Sequence, residues 1–130
     1  MDSRLPVAGR IAGWIAFGRY GSGEIAFVIR AGPSLDYGPV ICKPTVSLVR
    51  YGAEDPGPTG CWIKTWSENA GVLEELEASG VVVRTGKVAR LVSGRVTDAE
   101  TEQGVIAAHV ELTPGAVAEL QRQEGSNGGR

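Results

Sequence analysis

Residues 61–86 read CWIKTWSENAGVLEELEASGVVVRTG, and this stretch decides the fold. The alternation of residues 61–66 between two faces predicts a strand. Ser67 is a good helix N-cap, because its hydroxyl accepts a free backbone N–H of the first turn. Gly80 supplies a left-handed stop before the next strand. Between cap and stop lies an apolar stripe on one helix face, made of Val72, Leu73 and Leu76. The stretch therefore predicts a short helix packed on a sheet.

The segments before this stretch predict a hairpin and an interrupted strand. RIAGWIAF at residues 10–17 and EIAFVIR at residues 24–30 alternate as strands around a glycine-rich turn. The strand-like run at residues 40–51 contains Pro44. Because proline cannot donate to a sheet ladder, Pro44 marks an edge, a bulge or a break.

The segments after the helix predict three more strands. Residues 81–84 and 88–92 are short strands around a turn at Thr85–Gly86, and residues 105–112 form the last strand. The polar segment 93–104 between them is an exposed loop or hairpin tip.

These elements define an α+β fold. We expect a mainly antiparallel, strongly curved sheet or a small β-barrel of about six to seven strands, with one short helix packed on it. A C-terminal helix begins at Thr113–Pro114 and runs to about Gln123. One globular domain covers residues 1–124, and residues 125–130 form a disordered tail. The apolar faces predict a core of Ile11, Ile15, Phe17, Ile25, Phe27, Ile29, Val46, Leu48, Leu73, Leu76, Val110 and Leu112.

The composition narrows the functions that we expect. The chain has 130 residues and a formal net charge of -2, which argues against a general nucleic-acid binder. It contains no apolar run as long as a membrane span, so we expect a cytoplasmic protein without a membrane partner. Cys42 and Cys61 are too few for a zinc site, and we expect no metal and no cofactor. We interpret them as free thiols in strands, with a single disulfide as the alternative.

Three side chains on one face of the 61–66 strand are candidate binding residues. Trp62 and Trp66 flank Lys64. If this face points inward, the two rings belong to the core and anchor the helix, which is the interpretation we favour. If it points outward, the rings form an aromatic patch of the kind that partners bind, and the lysine between them supports this alternative.

A basic strip is the second binding candidate. Its positive side chains are close together in the sequence, and they suit contact with a phosphate or an acidic partner: Arg84, Lys87, Arg90 and Arg95. The competing interpretation is an ordinary charged surface balanced by the glutamates of the helix.

His109 is the one histidine of the chain, and it shares a strand face with Glu111. The two are the candidate base and orienting group only if the protein is an enzyme. We interpret this face instead as a polar surface in water. A Cys–His dyad is not indicated, because strand alternation turns Lys43 away from Cys42 and no helix N-terminus marks either cysteine as a thiolate.

Residues 61–86 resemble a pattern in small, uncharacterised bacterial, phage and plasmid accessory proteins. In that pattern a strand with a lysine and an aromatic residue leads through Ser-Glu-Asn into a helix, a Gly-Val strand and a Thr-Gly turn. The matching positions are Lys64, Trp66, Ser67, Glu68, Asn69, Gly71, Val72, Leu73, Gly80, Val81, Thr85 and Gly86. The resemblance covers about a fifth of the chain and implies an accessory role without an activity.

Two functional hypotheses follow from the residues. The first is a small non-enzymatic interaction protein that binds another protein, or a second copy of itself, through a sheet edge or the Trp62/Trp66 region. The second is a barrel that binds or transforms a small molecule in an aromatic cavity. The candidate lining of that cavity is Trp14, Tyr20, Tyr37, Trp62 and Trp66. A nucleic-acid binder that uses the basic strip is a third and weaker hypothesis.

Overall fold

The computed structural model describes residues 5–9, 12–31, 38–66, 69–97 and 104–128. Within these ranges nine strands form two antiparallel sheets, and two α-helices accompany them. The predicted α+β class is therefore confirmed. The predicted single curved sheet or barrel of about six to seven strands is wrong, because the described strands divide into a four-stranded and a five-stranded sheet and close no barrel.

The first sheet contains the predicted hairpin. Its strands are β1 (Pro6–Val7), β2 (Gly13–Arg19), β3 (Ile25–Arg30) and β4 (Val40–Cys42), in that spatial order. Strands β2 and β3 pair in register, and the cross-strand rings of Phe17 and Phe27 meet edge to face with centroids 5.8 Å apart.

The second sheet has the order β5-β6-β9-β7-β8. Its strands are β5 (Thr45–Val46), β6 (Gly60–Lys64), β7 (Val82–Val92), β8 (Arg95–Thr97) and β9 (Val105–Leu112). The last strand is confirmed at its predicted bounds.

Pro44 is the point where the chain leaves one sheet and enters the other. It lies between β4 and β5, and its carbonyl accepts a hydrogen bond of 2.8 Å from the Lys64 amide. Of the three alternatives at Pro44, an edge, a bulge or a break, the structure has the break. Because proline has no N–H to continue the first ladder, the run that looked like one strand serves two sheets.

Strand β7 is longer than the sequence predicts. The expected turn at Thr85–Gly86 is wrong, because both halves pair with β9 and the register shifts between Arg84 and Val88. This is a β-bulge, and Gly86 has a φ of 92° within it. A tight turn does occur at Ser93–Gly94, where both residues have positive φ and join β7 to β8.

Helix α1 (Val72–Ala78) ends as the sequence predicts. Gly80 has a φ of 76°, its amide bonds the Glu77 carbonyl, and the Val81 amide bonds the Leu76 carbonyl, which is a Schellman ending. The helix begins later than expected, after Gly71. The predicted cap, Ser67, lies outside the described residues.

Helix α2 (Pro114–Gly128) is the predicted C-terminal helix. The Thr113 hydroxyl accepts the Ala116 amide at 3.2 Å, as an N-cap does, and Pro114 occupies the first helical position. The helix continues past Gln123 into the segment expected to form a tail. Gln123 fixes it to β2, because its amide group bonds both the Phe17 amide and the Ile15 carbonyl.

Two apolar clusters lie on opposite faces of the second sheet. The main cluster joins both sheets and both helices, and it includes Cys61, Ile63 and Val110. A smaller cluster on the other face contains Leu48, Trp62, Ala89 and Ala107. Of the predicted core, Phe17 and Val46 are partly buried and Ile11 lies outside the described residues. The other predicted core residues are buried: Ile15, Ile25, Phe27, Ile29, Leu48, Leu73, Leu76, Val110 and Leu112.

Candidate functional site

Trp62 belongs to the smaller core. Only 3% of the residue is exposed, and its indole N–H donates to the Glu54 carbonyl at 3.1 Å. Trp66 is partly buried against the same cluster. The two rings therefore point inward, as in the interpretation that we favour from the sequence. Lys64 between them is half-buried and lines a groove described below.

His109 is buried, so the expectation of a polar surface in water is wrong at this residue. It is 6% exposed, and its ring stands edge to face on Trp62 with centroids 5.3 Å apart. Nδ1 lies 2.7 Å from the Thr85 hydroxyl, and Nε2 lies 2.9 Å from the Pro56 carbonyl. Since a carbonyl can only accept, Nε2 carries the proton in this arrangement.

Glu111 lies at the edge of this cluster. Its Oε2 is 3.8 Å from His109 Nε2, and its Oε1 accepts a hydrogen bond of 2.7 Å from the Thr59 hydroxyl. The Thr85–His109 distance suits a nucleophile and its base. However, both ring nitrogens are engaged and the ring is enclosed, so a substrate would have to displace these bonds. The arrangement holds the bulge of β7 to the 52–59 loop.

The basic strip is largely neutralised by partners. Arg84 bonds Glu77 at 2.8 Å and Glu74 at 3.0 Å on α1, and Lys87 bonds Glu54 at 2.7 Å. The hydrogen bond from Arg84 lowers the pKa of Glu77, and that from Lys87 lowers the pKa of Glu54. Arg90 is half-buried on the same strand. The strip therefore attaches β7 to its neighbours in the fold.

Both cysteines are free and buried, so the alternative of a disulfide is wrong. Burial, followed by the charges of Glu111 and Glu24, raises the pKa of Cys61 to about 12. The Cys61 thiol is therefore not activated as a nucleophile. The Cys42 thiol donates to the Asn69 side-chain carbonyl at 3.3 Å. Within the described ranges no group of three or more His, Cys, Asp or Glu side chains could hold a metal ion.

A basic groove lies where the chain passes from the first sheet to the second. Its volume is about 630 Å³. Cations and tyrosines form its walls together with three hydroxyl side chains, and we define the basic groove by Tyr20, Ser22, Lys43, Thr45, Ser47, Arg50, Tyr51 and Lys64. A shallower depression of about 390 Å³ shares Tyr20, Lys43 and Thr45 and continues onto the first sheet as far as Arg30.

The three cations of the basic groove have no carboxylate partner in the described part of the chain. In the described part of the chain, carboxylates pair with Arg19, Arg84, Lys87 and Arg122. No carboxylate pairs with Lys43, Arg50 or Lys64 there, and the groove lining contains no acidic residue. Arg50 stacks on the Tyr51 ring, with its guanidinium carbon 4.9 Å from the centroid.

One buried carboxylate, Glu24, lies behind the groove wall. It accepts hydrogen bonds from the hydroxyls of Ser22 at 2.8 Å and Ser47 at 2.7 Å, and from the Leu48 amide at 3.3 Å. These hydrogen bonds direct the Ser22 and Ser47 hydroxyls toward Glu24. The single negative charge of Glu24 offsets only part of the positive charge of the three groove cations. The groove therefore presents a net positive potential to solvent.

Sequence reasoning identified Lys64 and Tyr20 as candidates but missed Lys43 and Arg50. Pro44 was the available signal, because a break in a strand brings the residues beside it to a corner between sheets. Tyr37, another predicted lining residue, lies outside the described residues.

No family model, curated protein or solved structure matches the chain. Neither helix in the described part of the chain combines the length and apolar character that crossing a bilayer requires.

Proposed function

We propose that this is a non-enzymatic interaction protein that binds an anionic partner through the basic groove. One observation carries the proposal: Lys43, Arg50 and Lys64 line one groove, and among the described residues no carboxylate pairs with any of the three. Unpaired charges of one sign in a concave surface raise the local concentration of opposite charge and steer its approach. An accessory role, which the sequence resemblance implies, is compatible with such a surface.

The chemistry of the remaining polar groups supports a non-enzymatic role. His109 uses both ring nitrogens in the fold, and the Cys61 thiol has a pKa far above neutral pH. The groove itself offers ammonium, guanidinium and phenol groups, which suit binding by charge and hydrogen bonds. Burial raises the pKa of Tyr20, so its phenol remains a donor at neutral pH.

The alternative of a small molecule inside an aromatic barrel receives no support. The described strands form two separate sheets, and Trp62 and Trp66 pack in a core cluster. We expect the affinity of the groove to be modest, because exposed charge pairs each contribute about 0.2–1 kcal/mol.

An NMR titration tests the proposal. Two probes of equal charge, an octaglutamate peptide and a thymidine nonamer, are added separately to ¹⁵N-labelled protein at low salt. We expect at least one probe to shift the amides of Tyr20, Lys43, Arg50 and Lys64, and added salt to reverse the shifts. Shifts confined to other surfaces, or no shifts with either probe, would contradict the proposal.

A matched pair of variants controls for overall charge. Lys43→Gln removes a groove cation, and Arg95→Gln removes an exposed cation from β8, outside the groove. Both variants lower the net charge equally. Only Lys43→Gln should weaken the probe-induced shifts.

A further inference from the structure

We infer that the occupant of the basic groove is an extended acidic polypeptide segment rather than a nucleic-acid strand. This inference rests on the proposed function and adds the chemical class of the partner. Three features of the described residues carry it: the extent of the unpaired charge, the state of the aromatic rings, and the apolar strand beside the groove.

The unpaired charge is local. Lys43, Arg50 and Lys64 surround one groove and Arg30 lines the depression beside it, whereas Arg84 and Lys87 on β7 pair with carboxylates. A nucleic-acid strand carries its charge along its whole length and favours a basic track that follows the backbone. A short run of glutamates or aspartates needs only a local cluster, and the chain as a whole has a net charge of -2.

The aromatic rings of the groove offer few open faces. Single-stranded nucleic acids gain affinity when bases stack on open aromatic faces. The Arg50 guanidinium covers one face of the Tyr51 ring at 4.9 Å. Tyr20 is half-buried, and its hydroxyl bonds Thr45 at 3.1 Å. Tyr51 is 38% exposed and keeps only its second face open, so the groove lacks the succession of open rings on which single-strand binders stack bases. The stacked guanidinium is held ready to bind a carboxylate with two N–H groups.

An apolar strand leads directly into the groove. Val40 and Ile41 on β4 are 38% and 43% exposed, and Lys43 follows one residue after this strand. β4 is also the last strand of its sheet among the described residues. A polypeptide lying along β4 would place apolar side chains on Val40 and Ile41 and carboxylates beside Lys43. A sugar–phosphate backbone has no matching apolar groups.

Fluorescence anisotropy with the two probes, each labelled with fluorescein, distinguishes the classes. We expect octaglutamate to bind more tightly than the thymidine nonamer at the same ionic strength. Lys43→Glu should weaken octaglutamate binding about tenfold, since it removes one attraction and adds one repulsion. Arg95→Glu, which changes the net charge equally, should weaken it by less than about twofold, because it acts only through screened long-range charge. Circular dichroism checks that each variant folds, and Lys64→Gln replaces Lys43→Glu if it does not.

The outcomes separate this inference from the proposal on which it rests. Thymidine binding as tight as or tighter than octaglutamate binding, and sensitive to Lys43→Glu, overturns the inference and leaves an anion-binding groove. If neither Lys43→Glu nor Lys64→Gln changes the affinity for either probe, both the inference and the proposed function are overturned. A third peptide, in which valines alternate with glutamates, should bind more tightly than a peptide of the same length in which serines replace the valines. Equal binding of the two peptides would contradict the contact with Val40 and Ile41.

Discussion

Replacement of His109 by alanine tests whether this histidine is a structural residue. The substitution removes a ring that packs on Trp62 at 5.3 Å and that bonds both Thr85 and Pro56. A functional histidine at an open site can be truncated with little loss of stability. Truncation of a histidine that joins a strand bulge to a loop lowers the stability of the protein, and this loss is measurable.

The magnitude follows from the contacts. The edge-to-face ring pair contributes about 0.5–1.5 kcal/mol, and each of the two hydrogen bonds contributes about 0.5–1.5 kcal/mol. The Pro56 carbonyl loses its ring partner, whereas the Thr85 hydroxyl keeps the backbone carbonyl of residue 109 at 3.2 Å. We expect His109→Ala to lower the free energy of unfolding by about 3 kcal/mol, a large part of the roughly 5–15 kcal/mol typical of a domain.

Urea unfolding followed by circular dichroism measures this loss. With a slope of about 1–3 kcal/mol per molar urea, the midpoint should fall by roughly 1–3 M. Glu111→Gln is the control, because its side chain is 44% exposed and its amide oxygen can still accept from Thr59; it should change stability by less than about 0.5 kcal/mol. A loss below about 1 kcal/mol for His109→Ala, or a loss equal to that of the control, would refute the structural role.

Two further substitutions test other parts of the same sheet. Gly60→Ala should cost about 2 kcal/mol or more in urea unfolding, because a Cβ there would lie 2.8 Å from His109 Nε2 and press on a backbone carbonyl; Gly18→Ala, which meets nothing within 4 Å, is the control and should be nearly neutral. The Cys61 pKa of about 12 exceeds the value of about 8.5 in an unfolded chain, so its contribution is complete below about pH 8.5 and is lost as pH rises toward 12. Between pH 9 and 10.5 the wild type should lose about 1.4 kcal/mol per pH unit more than Cys61→Ala, and equal losses in the two proteins would contradict the buried thiol.

The parts of the fold that could be predicted from the sequence are those with local causes. The β2–β3 hairpin follows from two alternating runs around a glycine turn, and the end of α1 follows from Gly80 alone. Strand β9 follows from its own periodicity. In each case the residues that determine the structure lie within a few positions of one another.

The parts that could not be predicted depend on distant neighbours. Thr85–Gly86 has the composition of a turn, but β9 pairs on both sides of it and turns it into a bulge. His109 lies on a face that also carries Glu111, and only the 52–59 loop, which supplies the Pro56 carbonyl, encloses it. Periodicity along one strand does not show which loop covers its polar face.

The same limit applies to the candidate site. The sequence marks Lys64 as a candidate binding residue because it lies between two tryptophans. Lys43 and Arg50 join it in one groove only because the two sheets meet at Pro44, which the sequence pattern does not show. The partners of Arg84 and Lys87 likewise come from other elements, α1 and the 52–59 loop. Sequence pattern alone therefore does not show which cations are paired within the fold.

The position of β9 in the second sheet has a consequence for synthesis. β9 lies between β6 and β7, although it is made after both of them. While the ribosome is still adding residues 93–104, the two earlier strands flank a missing one, and each has an unpaired edge. Such edges invite pairing with other chains. The second sheet can therefore be completed only after residue 112 has left the exit tunnel, and a nascent chain stalled before β9 should depend on chaperones more than the finished protein does.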